Sequence, residues 1–113
     1  MKIIHSDKAP KAIGPYSQAI AVGDFLFCSG QIPLVPETME IIAGDVEVQT
    51  QRVIQNLSAV LEAHGFSLQN IVKTTVFIKD MNEFPKINGV YEKCLARIAL
   101  PVRRLKLQGY HVT

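Results

Sequence analysis

The chain has 113 residues, of which 48% are hydrophobic and 7% aromatic, and its formal net charge is +2. This size predicts a single domain, residues 1–113, that oligomerisation would stabilise, and the composition excludes a disordered or membrane-spanning protein. The charge is uneven, because residues 1–94 carry ten acids against seven Lys and one Arg, whereas residues 95–113 carry four basic side chains and no acid. A basic tail of this kind is typical of nucleic-acid or membrane-surface binding.

The first elements in chain order are predicted to form a β-hairpin. Residues 1–10 contain no long apolar run, so we expect no secretory signal and a cytoplasmic protein. Gln18 to Val22 and Phe25 to Ser29 are apolar-rich stretches that flank Gly23-Asp24. Two short strands around such a dipeptide predict a tight turn between antiparallel partners.

A loop and a long helix follow the hairpin. Residues 30–44 contain prolines and glycines and are predicted to form a loop, with a short extended piece at Met39 to Ile42. Asp45 is predicted to cap a helix that ends at His64-Gly65. The apolar face of this helix consists of Val46, Val53, Ile54, Leu57, Val60 and Leu61.

The next segment predicts a strand and a second helix. Ile71 to Lys79 reads as a half-buried strand, and Asp80 to Asn82 supplies turn and cap chemistry. The second helix has an apolar face of Phe84, Ile87, Val90, Tyr91, Cys94 and Leu95. The order β-β-α-β-α, followed by weak alternation at Val102 to Leu107, predicts an α+β fold with both helices on one face of a mixed sheet.

The cysteines and histidines do not indicate a metal site. Cys28 and Cys94 fall in a predicted strand and a predicted helix, so we expect reduced thiols rather than a disulfide. The three histidines are far apart in the sequence and share no metal-ligand spacing with the cysteines, so we expect no metal site.

Polar groups at the ends of the elements are the candidate chemistry, since the sequence contains no phosphate-binding loop or nucleophile elbow. Tyr16 follows a Gly-Pro turn, Ser29-Gly30 closes the second strand, and Asn88 interrupts the apolar face of the second helix. A small residue and a glycine at a strand end would let a ligand approach backbone N–H groups. The same residues also fit an ordinary turn, an ordinary strand end and an exposed amide.

Three separated segments, AIGPYSQAI, FCSGQIPL and residues 70–94, together resemble the Rid (YjgF, or L-PSP) family of reactive imine deaminases over about residues 1–95. The resemblance implies a fold similar to the bacillus-type chorismate mutase and a homotrimer with a site in each cleft between subunits. It also implies hydrolysis of 2-imino acids and their enamine tautomers, such as 2-iminobutanoate and 2-iminopropanoate, without a cofactor.

The family's functional positions are carried over only where this sequence matches. Tyr16 matches the site tyrosine, Ser29 and Gly30 match the pair whose hydroxyl and N–H face the substrate, and Asn88 matches the helix asparagine near the cleft. The family grips the substrate carboxylate with an arginine, for which Arg103 is a weaker match. A late glutamate and a backbone carbonyl position the water in the family, but no acid follows Glu92 here, so the catalytic group stays unassigned.

The segment after Cys94 departs from the family pattern. Relatives continue with a strand of the form P-A-R-S-x-V-E-V and a last strand carrying V-E-I-E, whereas this chain reads LARIALPVRRLKLQGYHVT. Reading the codons of Ala96 to Thr113 one base out of register permits P-A-R-S-(A or T)-V-E-V. We therefore hypothesise that the atypical tail, residues 96–113, is frameshifted. Its excess of basic residues would then be a by-product of the frameshift, and the activity of this chain would be impaired.

Two other functions remain open at this stage. The same clefts could serve as receptors for small acids in a binding module without turnover. Endoribonuclease or translation-inhibitor activity has been attached to some relatives, but the sequence shows no interleaving of aromatic and basic residues that would support it.

Overall fold

Seven β-strands and two α-helices make up the part of the chain that the computed structural model describes, residues 1–95 and the backbone of residues 105–109. The helices are α1 (Val46–Ala63) and α2 (Phe84–Leu95). The strands are β1 (Lys2–Ile4), β2 (Ala19–Val22), β3 (Phe25–Cys28), β4 (Leu34–Val35), β5 (Glu40–Ile41), β6 (Thr74–Ile78) and β7 (Leu105–Gly109).

The predicted hairpin supplies β2 and β3 of a three-stranded antiparallel sheet in the order β1-β2-β3, with β2 in the centre. Ala19 pairs with Cys28 and Val22 with Phe25, so the two strands meet across Gly23-Asp24 as the sequence predicts. Strand β1 was not predicted, and Ile4 of β1 pairs with Ala19. Two of its three residues are isoleucines, which favour strands, but three residues are too few to show a strand period, and the pairing with β2 completes the element.

The two faces of this sheet differ in what covers them, because successive side chains along a strand alternate between faces. The inner face packs against Val60 of α1, which is fully buried. Its members are Ile4, Ala19, Ala21, Leu26 and Cys28. The outer face is apolar as well, but none of its side chains is buried within the chain. Its members are Ile3, Ile20, Val22, Phe25 and Phe27.

Helix α1 begins and ends where the sequence predicts. The Asp45 carboxylate accepts a hydrogen bond of 3.0 Å from the N–H of Val48, which satisfies a donor that the first turn leaves free. At the other end Gly65 adopts φ +83, a conformation that glycine reaches without a Cβ penalty, and Phe66 N–H donates to the carbonyl of Leu61 at 2.9 Å.

Strand β6 is shorter than the predicted Ile71 to Lys79. Ile71 is the cap of a 3-10 turn at Leu68–Asn70, and only Thr74–Ile78 pairs as a strand. The predicted cap chemistry before the second helix is confirmed, since Asp80 Oδ1 accepts from Asn82 N–H at 3.0 Å over the 3-10 turn at Met81–Glu83.

Helix α2 buries Ile87 and Val90, and its principal contacts are with α1 and the two 3-10 turns. Strand β7 then pairs in parallel with β6, in a register of Thr74 with Leu105. A parallel neighbour requires a crossover, which α2 provides. Strand β7 begins later than the predicted stretch Val102 to Leu107. The observed architecture confirms the predicted α+β class, whereas the assignment of a single domain stays a prediction.

The loop at residues 30–44 contains more regular structure than predicted. Strand β4 pairs antiparallel with β5, which lies within the extended piece expected at Met39 to Ile42. Met39 turns the chain between them with φ 59, and its N–H donates to the carbonyl of Val35 at 2.8 Å. Neither described helix is long and apolar enough to cross a membrane.

Candidate functional site

Ser29 and Gly30 extend the hairpin beyond the last paired residue of β3. The N–H of Ser29 donates to the carbonyl of Gln18 at 2.9 Å, and the Ser29 hydroxyl donates to the carbonyl of Ser17 at 2.5 Å. These two bonds fix the chain at Ser29 against the segment that enters β2. Ser29 and Gly30 are both exposed, so this end of the sheet presents backbone and a hydroxyl to the surface.

Tyr16 lies on the segment beside Ser29, and its side chain is 72% exposed. Gly14 precedes it with φ +80, and a Cβ placed on Gly14 would lie 3.7 Å from Cε2 of Tyr16. That distance is an ordinary van der Waals contact, so the positive φ of the turn, rather than space beside the ring, favours glycine here. The predicted Tyr16, Ser29 and Gly30 thus come from two adjacent segments at one end of the sheet, which we call the strand-end site.

Gly30 offers open backbone at this site. A Cβ placed on Gly30 meets no atom within 4 Å, and its φ lies outside the left-handed region. The residue is therefore glycine neither for conformational reasons nor for packing within the chain. A bare backbone of this kind is suited to close approach by a ligand.

Asn88 and Arg103 are not brought to the strand-end site by what the structure describes. Asn88 is partly exposed on α2, where its Nδ2 donates to Oε1 of Glu92 at 3.2 Å. Arg103 lies outside the described residues. Convergence of Asn88 with Ser29, with a neighbouring copy of the chain included, stays a prediction.

Two buried side-chain amides support the site, and the sequence interpretation missed both. Gln18 is 3% exposed and Asn56 is 0% exposed. Asn56 reaches from α1 to the segment that follows Gly30, where its Nδ2 donates to the carbonyl of Leu34 at 2.9 Å, while its Oδ1 accepts from Nε of Arg52 at 3.0 Å. The available signal was an amide directly before an apolar residue on a predicted strand (Gln18 before Ala19) and on a predicted helix (Asn56 before Leu57).

The electrostatics of the strand-end site favour a neutral thiol beside it. Burial raises the pKa of the Cys28 thiol, so this side chain stays protonated at neutral pH and is a poor nucleophile. On α2, burial and, to a smaller degree, the charge of Cys94 raise the pKa of Tyr91. Among the described residues, His, Cys, Asp and Glu form no group of three or more that could hold a metal ion.

A cleft of about 250 Å³ lies elsewhere, between the beginning of α1 and the end of α2. Asp45, Glu47, Lys93 and Cys94 are among its lining residues, and none of the predicted site residues lines it. It is open to solvent and shares no lining residue with the strand-end site.

Comparison with known proteins shows the relationships of the chain. The family model described as endoribonuclease L-PSP matches residues 6–107, so the similarity extends past residue 95 into the tail. A RutC family protein from Pyrococcus abyssi is 53% identical over 109 residues, covering 92% of this chain and 86% of that relative.

Two solved structures are similar in fold. RidA from the Antarctic bacterium Psychrobacter sp. PAMC 21119 has 38% identity and a TM-score of 0.86, covering 96% of this chain and 87% of its own. The structure of E. coli TdcF with bound serine has 41% identity and a TM-score of 0.85 with the same two coverages. These similarities confirm the chorismate-mutase-like fold that the sequence predicts.

Proposed function

The chain belongs to the Rid (L-PSP) family, and from this we propose that it hydrolyses reactive 2-imino acids, such as 2-iminobutanoate and 2-iminopropanoate, to 2-oxo acids and ammonia. The similar E. coli protein TdcF was solved with serine bound to it. Serine is a small 2-amino acid, close in size and charge to these imino acids. That similarity supports a small carboxylate as the substrate class here.

The proposed reaction requires few catalytic groups from the protein. Water adds to the electrophilic C2 of the imine, which forms a carbinolamine, and the C–N bond then breaks to release ammonia and leave the 2-oxo acid. Neither an oxidant nor a cofactor is needed. The protein contributes by holding the carboxylate and placing the water, because correct orientation alone removes much of the barrier.

The observation that carries the proposal is the open strand end. The Ser29 hydroxyl donates its hydrogen bond to the carbonyl of Ser17, so its oxygen lone pairs can accept a hydrogen bond from the N–H of an imine. The bare N–H of Gly30 can donate to a substrate oxygen, with Tyr16 flanking it from the neighbouring segment. In the proposal Asn88 of a neighbouring subunit and Arg103 complete the substrate-binding set.

We further propose that the chain works as a homotrimer in the cytosol, where Cys28 and Cys94 would remain free thiols, as they are in the structure. The apolar outer face of the sheet supports association, because Phe25 and Phe27 are 63% and 64% exposed. Contiguous apolar surface of this kind is typical of a protein–protein interface.

The composition of residues 96–113 determines the rate of imine hydrolysis that we expect. No acid follows Glu92, so nothing in this chain matches the glutamate that positions water in the family. Loss of such assistance costs about a hundred- to ten-thousandfold in rate. We therefore expect weak turnover from the chain as written, and a large gain when residues 96–113 are replaced by the translation of the alternative reading frame.

The test generates 2-iminobutanoate with a threonine dehydratase and follows its loss, using protein whose intact mass confirms the tail. Gly30→Ala adds a methyl group that meets no atom within 4 Å, so it should leave the melting temperature unchanged and lower kcat/KM at least tenfold. Gln55→Ala, at an exposed position of α1, serves as the control and should leave turnover unchanged.

The two other functions predict different results. A binding module would bind serine or 2-oxobutanoate without accelerating imine loss, and Gly30→Ala would abolish that binding. An endoribonuclease would cleave RNA, although residues 1–95 have a net charge of −2, which opposes contact with phosphates. Full turnover in the Gly30→Ala variant would contradict the strand-end site.

A further inference from the structure

The side chain of Gln18 holds the segment that precedes the hairpin. Its Oε1 accepts from the N–H of Ser6 at 2.6 Å, and its Nε2 donates to the carbonyls of Ser6 at 3.1 Å and Pro10 at 2.8 Å. The side chain is 3% exposed, so water cannot replace these bonds. The amide therefore ties residues 6–10 to the start of β2 at both of its polar ends.

The backbone of the same residue holds the strand-end site. The carbonyl of Gln18 accepts the N–H of Ser29 at 2.9 Å, and the adjacent carbonyl of Ser17 accepts the Ser29 hydroxyl at 2.5 Å. Strand β2 begins only at Ala19 and β3 ends at Cys28. The orientation of the peptide at Gln18 therefore decides where Ser29 and its neighbour Gly30 lie beyond the regular ladder.

We propose that Gln18 is a positioning residue of the strand-end site. Its buried side chain holds the Ser17-Gln18 backbone in place. This backbone in turn fixes the Ser29 hydroxyl and the Gly30 N–H for a small carboxylate ligand. The ligand in this statement rests on the proposed function, whereas the fixing of Ser29 does not. Gln18 touches no substrate in this scheme and acts through Ser29 alone. Removal of its amide takes this partner from Ser6 N–H and from the carbonyls of Ser6, Ala9 and Pro10, so that the segment from 6 to 10 and the peptide at Gln18 can pivot.

The test compares Gln18→Met with Ile54→Val. Methionine keeps the length of the side chain but supplies neither donor nor acceptor of comparable strength. Ile54 is 3% exposed on α1 and lies outside the cluster that packs on the sheet, so Ile54→Val lowers stability without touching the strand end. Amide hydrogen exchange of Ser29 is measured against that of Val60, which reports on the unfolding of the core.

In Gln18→Met we expect Ser29 exchange to accelerate at least tenfold more than Val60 exchange, and kcat/KM for 2-iminobutanoate to fall at least tenfold, chiefly through KM. In Ile54→Val both amides should accelerate together, with kinetic constants unchanged. Gln18→Glu tests rescue, because a protonated carboxyl supplies one donor and one acceptor. Its Ser29 protection should approach that of the wild type at low pH and be lost as pH rises through the elevated pKa of a buried carboxyl.

The outcomes separate this inference from the proposed function. If imine turnover is absent both from the chain as written and from the chain whose residues 96–113 are replaced by the alternative reading frame, the proposed function fails, while the exchange of Ser29 still decides the role of Gln18. If Ser29 and Val60 accelerate equally in Gln18→Met, or if KM is unchanged in an active protein, Gln18 is only a structural residue and the inference is wrong.

Discussion

Substitution of Phe27 by lysine tests whether the outer face of the sheet is a subunit interface. Phe27 pairs with Ile20 on that face and is 64% exposed. A phenylalanine presents about 200 Å², so burial of the exposed share removes ~130 Å² from water, which is worth ~3 kcal/mol per protomer at about 25 cal/mol/Å². Because each ~1.4 kcal/mol is a factor of ten, the loss per protomer is about a hundredfold in association.

A trimer would lose this contribution three times, and the lysine ammonium would also have to be desolvated. We therefore expect Phe27→Lys to sediment as a monomer at micromolar concentrations at which the wild-type protein sediments as a trimer. Val48→Lys is the control, because Val48 is exposed on α1, in the layer that covers the opposite face of the sheet. A wild-type protein that sediments as a monomer, or a Phe27→Lys variant that stays trimeric, would refute the assignment of this face.

Three further expectations concern stability and reactivity. Asn56→Leu should lower the free energy of unfolding in urea by about 2–3 kcal/mol, because it leaves the carbonyl of the buried Leu34 unpaired and removes the partner of Nε of Arg52. An unchanged midpoint would contradict this. Cys28 should react with iodoacetamide more slowly in the folded chain than in urea, because burial raises the pKa of its thiol. Folding raises the pKa values of Cys28 and Tyr91, so their contribution to stability should be complete below the ordinary thiol pKa of 9.0 and be lost as pH rises through the elevated values. Urea unfolding from pH 7 to 11 checks this last expectation, and stability that increases with pH would contradict it.

Local chemistry was enough to predict most of the elements. Asp45 and Gly65 mark the ends of α1 because capping depends on residues next to each other in the chain. Strand β1 could not be predicted in this way, because Lys2–Ile4 becomes a strand only by pairing with β2. Ile71 was misassigned because an apolar residue before a strand looks like its first member, whereas the cap at Ser67 directs the chain into a 3-10 turn.

The candidate site was predictable in part because some of its residues are close to each other in the chain. Tyr16, Ser29 and Gly30 flank one hairpin, so the pairing of β2 and β3 brings them to the same end of the sheet. Asn88 lies on α2, outside this hairpin, so the pairing of β2 and β3 does not place it at that end. The buried amides of Gln18 and Asn56 were missed because their partners are backbone groups, which no residue type in the sequence reveals.

The parallel pair β6–β7 has a consequence for the order in which the chain folds. The β2–β3 hairpin closes across two residues, a local event on the microsecond timescale, whereas Thr74 cannot meet Leu105 until α2 has formed and carried the chain back. During synthesis the outer face of the sheet is therefore complete before β7 leaves the ribosome. Early pairing of nascent copies through that face would occur while the edge of β6 is still open, so β6 is the place where misassembly of newly made chains should begin.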